Sequence, residues 1–330
     1  MKRIPPPATP SLPLSLLYNA LARSAWLGAP GQPRGRAGAL WRRLWQKSML
    51  SFSAPVRTRI HGQPVIVNYG HSYPFYTRWF PGINRPLVEL VCQASRALGR
   101  PVSLVDVGAN IGDTILLLDD ACPGMLGEYA CVEGDAEFFA YLRSNLGHRA
   151  GGHFYRAMLS DRAVEVAELV RAHAGTASAY GDTQVEAVTL DALLDPPPFA
   201  PLDLLKVDVD GYDGKVLLGA RGLLQAQRPA VVFEWHPLFC RRVGAAWTEH
   251  FDALAECGYT TLVWFTKYGA WSHFSGPADR EAIGRLAELC LTSAAYPDWH
   301  YDIVALHEQS PIAPGALAEL AYARGRHWRA

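Results

Sequence analysis

The chain has 330 residues, 49% hydrophobic and 19% charged, with 31 Lys and Arg matched by 31 Asp and Glu. That composition allows a large buried core, as one big domain or as a domain with an appendage, and zero net charge removes any global electrostatic case for nucleic acid or an anionic membrane; either would need a local patch. The six cysteines lie far apart with no C-x-x-C pair, several of them in apolar runs, which suits reduced core residues of a cytoplasmic protein.

The first fifty residues read as a helical appendage. Residues 11–27 are fairly apolar behind a basic start, but Asn19 and Arg23 interrupt the run and Pro5 to Pro7 precede it, which argues against a secretion signal or a spanning helix. A peripheral helix is expected, where Arg34, Arg36, Arg42, Arg43 and Lys47 interleave with Trp41 and Trp45. Such a segment can touch a membrane surface or a protein partner, or it is a solvated helix face with two packed tryptophans. Residues 56–67 suggest a short β element, and the aromatic run 73–80 suggests an ordered loop. The division expected is an appendage over 1–95 and a catalytic domain over 96–330.

From Pro101 onward, strand-like runs alternate with helix-like segments, the signature of an α/β fold with a parallel sheet covered by helices on both faces. Strands are expected over 102–107, 129–133, 153–157, 202–209, 230–235, 260–265 and 301–306, and helices over 113–120, 136–146, 213–226, 246–257 and 280–289. Asp113 and Asp135 stand where N-caps are wanted. Between Ser160 and Asp195 two short alternating runs, 164–170 and 184–188, predict a hairpin or lid.

Four stretches carry chemistry. The first is Val105-Asp106-Val107-Gly108-Ala109-Asn110-Ile111-Gly112-Asp113-Thr114, an apolar strand running through a tight turn into a helix. Gly108 and Gly112 lack a Cβ and Asn110 tolerates positive φ, so backbone can approach a ligand closely and the helix N-terminus offers N–H groups. The spacing is G-x-x-x-G rather than the dinucleotide G-x-G-x-x-G, which disfavours a nicotinamide-dependent reductase and favours S-adenosylmethionine. The second is Glu133, at the end of the next strand, where a carboxylate can accept from both hydroxyls of a ribose.

The third is Lys206-Val207-Asp208-Val209-Asp210-Gly211-Tyr212-Asp213. Asp208 and Asp210 at i and i+2 can hold a cationic cofactor end, orient an acceptor hydroxyl, or ligate a hard cation with Glu234; strand-end carboxylates also serve as plain helix caps, and no metal is assigned. Lys206, inside a parallel sheet, needs a carboxylate partner. The fourth is Phe233-Glu234-Trp235-His236-Pro237, where His236 is the candidate general base, with His71 and His300 as rivals; an imidazole with a pKa near about 6.5 can take a hydroxyl proton at neutral pH.

Together these stretches, with Ala157-Met158-Leu159-Ser160-Asp161 and Val188-Thr189-Leu190-Asp191-Ala192-Leu193-Leu194, resemble the FkbM family of S-adenosylmethionine-dependent methyltransferases over roughly residues 100–240. The resemblance implies a Rossmann-like, seven-stranded class I methyltransferase sheet with a reversed last hairpin, O-methylation, and an acceptor among sugars, glycans or secondary metabolites. It implies a cofactor site of Asp106, Gly108, Ala109, Asn110, Gly112, Asp113, Thr114, Glu133 and Asp208, with Ser160 and Asp161 near the adenine. The catalytic set expected is His236, Asp208 and Asp210. Where many relatives read Asp-x-Glu-Gly-x-Glu, this chain has Asp210 and Asp213 in place of the longer acids. The opposing reading is a cofactor-binding scaffold that works through its basic, tryptophan-bearing N-terminus.

Overall fold

The computed structural model describes residues 9–24, 27–29, 35–173, 176–292 and 299–318. The basic start of the chain, Pro5 to Pro7 and Arg34 lie outside them. The chain begins with α1 (Leu12–Arg23) and α2 (Gly35–Ser51), followed by the antiparallel pair β1 (Pro55–Ile60) and β2 (Gln63–Asn68). Ser11 caps α1 by accepting from Leu14 N. The aromatic run expected as a loop is a helix, α3 (Tyr73–Trp79). Pro74 sets the first turn, and Phe75 and Trp79, four residues apart, both turn toward the core, so the helical period wins over the loop reading.

Next come α4 (Arg85–Leu98), β3 (Val102–Val107), α5 (Asp113–Ala121), β4 (Leu126–Val132), α6 (Ala136–Leu146) and β5 (Gly152–Tyr155). Asp135 caps α6, accepting from Glu137 N and Phe138 N at 2.8 and 3.0 Å. Asp113 does not cap α5: the cap position belongs to Gly112, at φ 90°, and Asp113 is the first helical residue. The expected hairpin is present as β7 (Val164–His173) and β8 (Thr176–Val188), preceded by β6 (Met158–Leu159), the three forming a separate sheet in the order β6-β8-β7.

The chain returns through α7 (Leu190–Leu193) to β9 (Leu204–Val207), then α8 (Asp213–Leu218) and α9 (Arg221–Gln227), β10 (Ala230–Trp235), α10 (Pro237–Arg242) and α11 (Glu249–Glu256). The single helix expected over 213–226 is broken at Gly219. A Cβ there would overlap the Ser160 carbonyl oxygen, and the second half restarts on Asp191, whose carboxylate accepts from Gly222 N and Leu223 N, both at 2.8 Å. The chain closes with β11 (Tyr259–Thr266), β12 (Trp271–Ser275), α12 (Arg280–Thr292) and β13 (Tyr301–His307).

The main sheet has eight strands in the order β12-β11-β13-β10-β9-β3-β4-β5. From β10 to β5 all are parallel; β13 runs antiparallel between β10 and β11. All seven expected strands are present with the reversed last hairpin. The eighth, β12, escapes sequence reading because it is a short, mostly exposed edge strand without alternation. β3 is buried along its whole length, with Leu104 in one hydrophobic cluster and Val105 and Val107 in the other, so each face of the sheet carries its own core. Tyr18, Leu21 and Leu27 of the N-terminal segment join the first cluster. No helix among the described residues is long and apolar enough to cross a membrane.

Candidate active site

A cavity of about 780 Å³ opens over the carboxyl ends of β3, β4, β9 and β10, the edge where ligands bind in open α/β sheets. At one end is the turn after β3. Gly108 sits at φ 79°, Asn110 at φ 48° and Gly112 at φ 90°, as the Gly/Asn pattern requires. The close approach that Gly108 permits is to protein rather than to ligand: a Cβ would overlap the Asp208 carbonyl oxygen, locking this turn to the one after β9. Likewise the Gly108 and Ala109 N–H groups both donate to Val132 O at 3.0 Å. Glu133 holds the turn from the side, accepting from Asn110 N at 2.8 Å and Asp135 N at 2.7 Å. Burial pushes its carboxyl up to about 8, against the pull of those two N–H groups.

Residues from before the sheet close this end. His71 Nε2 lies 3.2 Å from Asn110 Oδ1, and its carbonyl accepts from the Tyr18 hydroxyl at 2.5 Å. Tyr73 and Tyr76 of α3 also line the cavity, with the Tyr73 hydroxyl 2.7 Å from Asn84 Nδ2 and 3.0 Å from His61 Nε2.

At the other end, charge crowds. Lys206 lies 3.0 Å from Asp106 Oδ1 and 3.4 Å from Asp208 Oδ2, the pairing its mid-strand position demands. Burial disfavours its charge, but Asp106 and Asp208 outweigh that and hold the ammonium above its ordinary range. Glu234 on β10 stands directly opposite Asp302 on β13, and His300 Nε2 is 3.4 Å from Glu234 Oε2. One donor atom from each of these three lies within 4.8 Å of the others, a spacing at which they can hold a cation between them. Burial, then the neighbouring Asp208, raises both carboxyls, Asp302 to about 8. Burial also raises Asp213 to about 8, although Val209 N and Gly211 N donate to it at 3.3 and 3.1 Å.

Residues 106–261 match the family model of the methyltransferase FkbM domain. Over that span, a little under half of its length, the chain is similar to the FkbM methyltransferases. Among solved structures it is similar to the FkbM methyltransferase of Methylobacillus flagellatus KT, at 12% identity over 89% of this chain and 58% of that one, with a TM-score of 0.38. It is also similar to the O-methyltransferase TomG of Streptomyces achromogenes in complex with SAM (16% identity, 67% of this chain, 79% of that one, TM-score 0.37). A third is the O-methyltransferase of Bacillus cereus in complex with SAH (11% identity, 68% of this chain, 80% of that one, TM-score 0.39). No curated protein matches the sequence.

In this FkbM domain the cavity brings together Gly108, Asn110, Asp113, Thr114, Glu133, Asp208 and Asp210 of the expected site. Ala109 and Gly112 form the turn without lining the cavity, and Asp106 lies beneath it, fully buried on Lys206. Ser160 and Asp161 are also off the wall; Ser160 is buried with its hydroxyl 3.0 Å from Asp161 Oδ1, and the segment instead presents Ala157, Met158 and Leu159.

His236 is placed behind the wall. It is 1% exposed, stacked on Phe239 at 3.7 Å, with its ring 5.2 Å from that of His300, which does line the cavity. The reason is local: His236 is the N-cap residue of α10, and the turn into Pro237 carries its ring under that helix. Trp235 and Trp264 are fully buried core residues. Asp302 had no sequence signal, because only the β10–β13 pairing brings it to Glu234.

Proposed function

We propose that this FkbM domain uses S-adenosylmethionine to methylate a hydroxyl of a sugar, glycan or related secondary-metabolite acceptor. The observation that supports this reading is one cavity with chemically distinct sides: the Gly108–Asn110 turn and Glu133 toward β3 and β4, and Asp208, Glu234, His300 and Asp302 toward β9, β10 and β13. Glu133 fits the nucleoside end of the cofactor, because each carboxylate oxygen accepts one backbone N–H and has a further lone pair for a ribose hydroxyl. Asp208, the partner of Lys206 that lines the cavity, fits the cofactor's cationic end.

Bound there, the cofactor supplies an electrophilic methyl group on a sulfonium. The chain's task is to align an acceptor oxygen with that methyl, exclude water and take the hydroxyl proton. His300 is the group placed to take it: its imidazole lines the cavity, and Glu234 at 3.4 Å stabilises the imidazolium that results. His236, a layer further back, supports His300 rather than meeting the acceptor.

Calorimetric titration of the full chain with S-adenosylmethionine, with NADH in parallel, tests the cofactor. Saturable binding of the first alone is expected. Release of S-adenosylhomocysteine on adding hydroxylated acceptors then tests the reaction. Folded protein that binds NADH, or neither compound, would overturn the assignment.

A further inference from the structure

Twelve Lys and Arg residues and no Asp or Glu precede Glu89, so the first 88 residues carry +12 while the remainder of this neutral chain carries −12. The structure presents part of that charge on an apolar face. On α2, Arg36, Leu40, Arg43, Leu44, Lys47 and Leu50 are all exposed and, at 100° per residue, fall within about 120° of the helix circumference. Leu40 and Leu50 are 59% and 82% exposed. The opposite side holds Trp41, Trp45 and Met49 against the core.

The outer side of α1 is apolar up to its last residue: Leu12, Leu16 and Ala20 at four-residue spacing, then exposed Arg23, with Leu12 and Leu16 70% and 65% exposed. Tyr18 of α1 and Trp45 of α2 both pack on the Phe75 ring, with centroids 5.3 and 5.2 Å apart, so both helices are anchored by their inner faces to one aromatic cluster. Along α1 runs β1, whose outward positions are Arg57 and Arg59.

We propose that the outer face of α1 and α2 docks this protein on a bilayer surface bearing anionic lipid headgroups. Leucines alternating with cations along one convex helix face suit the boundary between headgroups and acyl chains, where the apolar groups enter and the cations meet phosphates. Charge complementarity selects anionic lipid over neutral lipid, and the fixed inner face means no folding is needed on docking. Arg42 stands apart from the others: it donates to the Gly28 and Ala29 carbonyls and holds the chain beside α2.

The test is co-sedimentation of the full chain with vesicles of phosphatidylcholine alone or mixed with phosphatidylglycerol. Binding is expected only to the mixed vesicles, weakening as salt rises. Arg36→Gln/Arg43→Gln/Lys47→Gln should lower the partition coefficient on the order of a hundredfold. Leu40→Ser/Leu44→Ser should lower it at least about tenfold. Both should keep wild-type thermal midpoints, since these side chains point outward. Arg42→Gln should lower the midpoint while vesicle binding by the folded protein persists. Equal binding to both vesicle types, or none to the mixed ones, would overturn the proposal. So would full binding by the leucine variant, which would leave only diffuse charge attraction, or binding to soluble polyglutamate without binding to vesicles, which would point to an acidic protein instead.

Discussion

At the Gly108 end of the cavity one buried carboxylate, Glu133, is gripped by two backbone N–H groups; at the Asp208 end, Asp208, Glu234 and Asp302 converge with His300 and Lys206. The first arrangement is finished before any ligand arrives, since its turn, its donors and its glycines are fixed by backbone. The second crowds buried carboxyls that raise one another, so a proton is readily held there. A reaction that binds one molecule firmly and strips a proton from another needs both kinds of end.

The largest effect should come from breaking the proton-handling end. His300→Asn and Glu234→Gln are each expected to lower kcat by about 10²–10⁴-fold while calorimetry shows S-adenosylmethionine binding little changed. His236→Asn should cost much less, because the ring lies behind His300 and does not line the cavity. A larger loss for His236→Asn than for His300→Asn would move the base back to the strand end.

Next in size is a change at the backbone-built end. Gly108→Ala adds a Cβ at φ 79° that overlaps the Asp208 carbonyl, so the turn must shift; about 2–4 kcal/mol of stability should be lost in denaturant unfolding. Gly99→Ala is the control, with φ 67° and open space around it, and should cost only about 1–2 kcal/mol. Equal losses would show that φ alone, not the link between the two turns, makes Gly108 necessary. Smaller still, Glu133→Gln keeps one acceptor but sets an amide NH2 against the other backbone N–H and loses the charge, so S-adenosylmethionine binding should weaken about tenfold with a modest fall in the midpoint.

The same contrast governs what could be read from sequence. The Gly108 end is assembled by consecutive elements, β3, turn, α5 and β4, so glycine spacing and one acid at a strand end reveal it. At the far end, Asp208 and Glu234 were legible as strand-end acids. Asp302 reaches them only because β13 inserts antiparallel between β10 and β11, and His300 precedes that strand with no motif around it. His236 was read from its strand-end position, but a proline-led turn redirects such a side chain, and no local pattern reports that. The N-terminal wall was half legible: the aromatic run drew notice, while its helical period and the His71 contact to Asn110 depend on packing against the sheet.

The last prediction concerns Asp213, which resembles Glu133 in being gripped by two N–H groups yet is buried near the charge of Asp208. Both carboxyls are raised to about 8 by burial, but the next influence differs: for Glu133 it is the N–H of Asp135, which lowers, and for Asp213 it is the charge of Asp208, which raises. Below the ordinary value of 3.8 the folded and unfolded chains both keep the Asp213 proton. Between there and about 8 the folded chain keeps it and the unfolded chain gives it up, so stability falls as pH rises, and the contribution is gone once the folded group ionises. Asp213→Asn should flatten unfolding free energy against pH in that window by on the order of 1 kcal/mol per pH unit. Asp208→Asn should bring the upper edge of the window to lower pH, because it removes the neighbouring charge and leaves the two N–H bonds in place. If Asp208→Asn left that edge unmoved, burial alone would set Asp213, and the two ends would differ in chemistry but not in electrostatics.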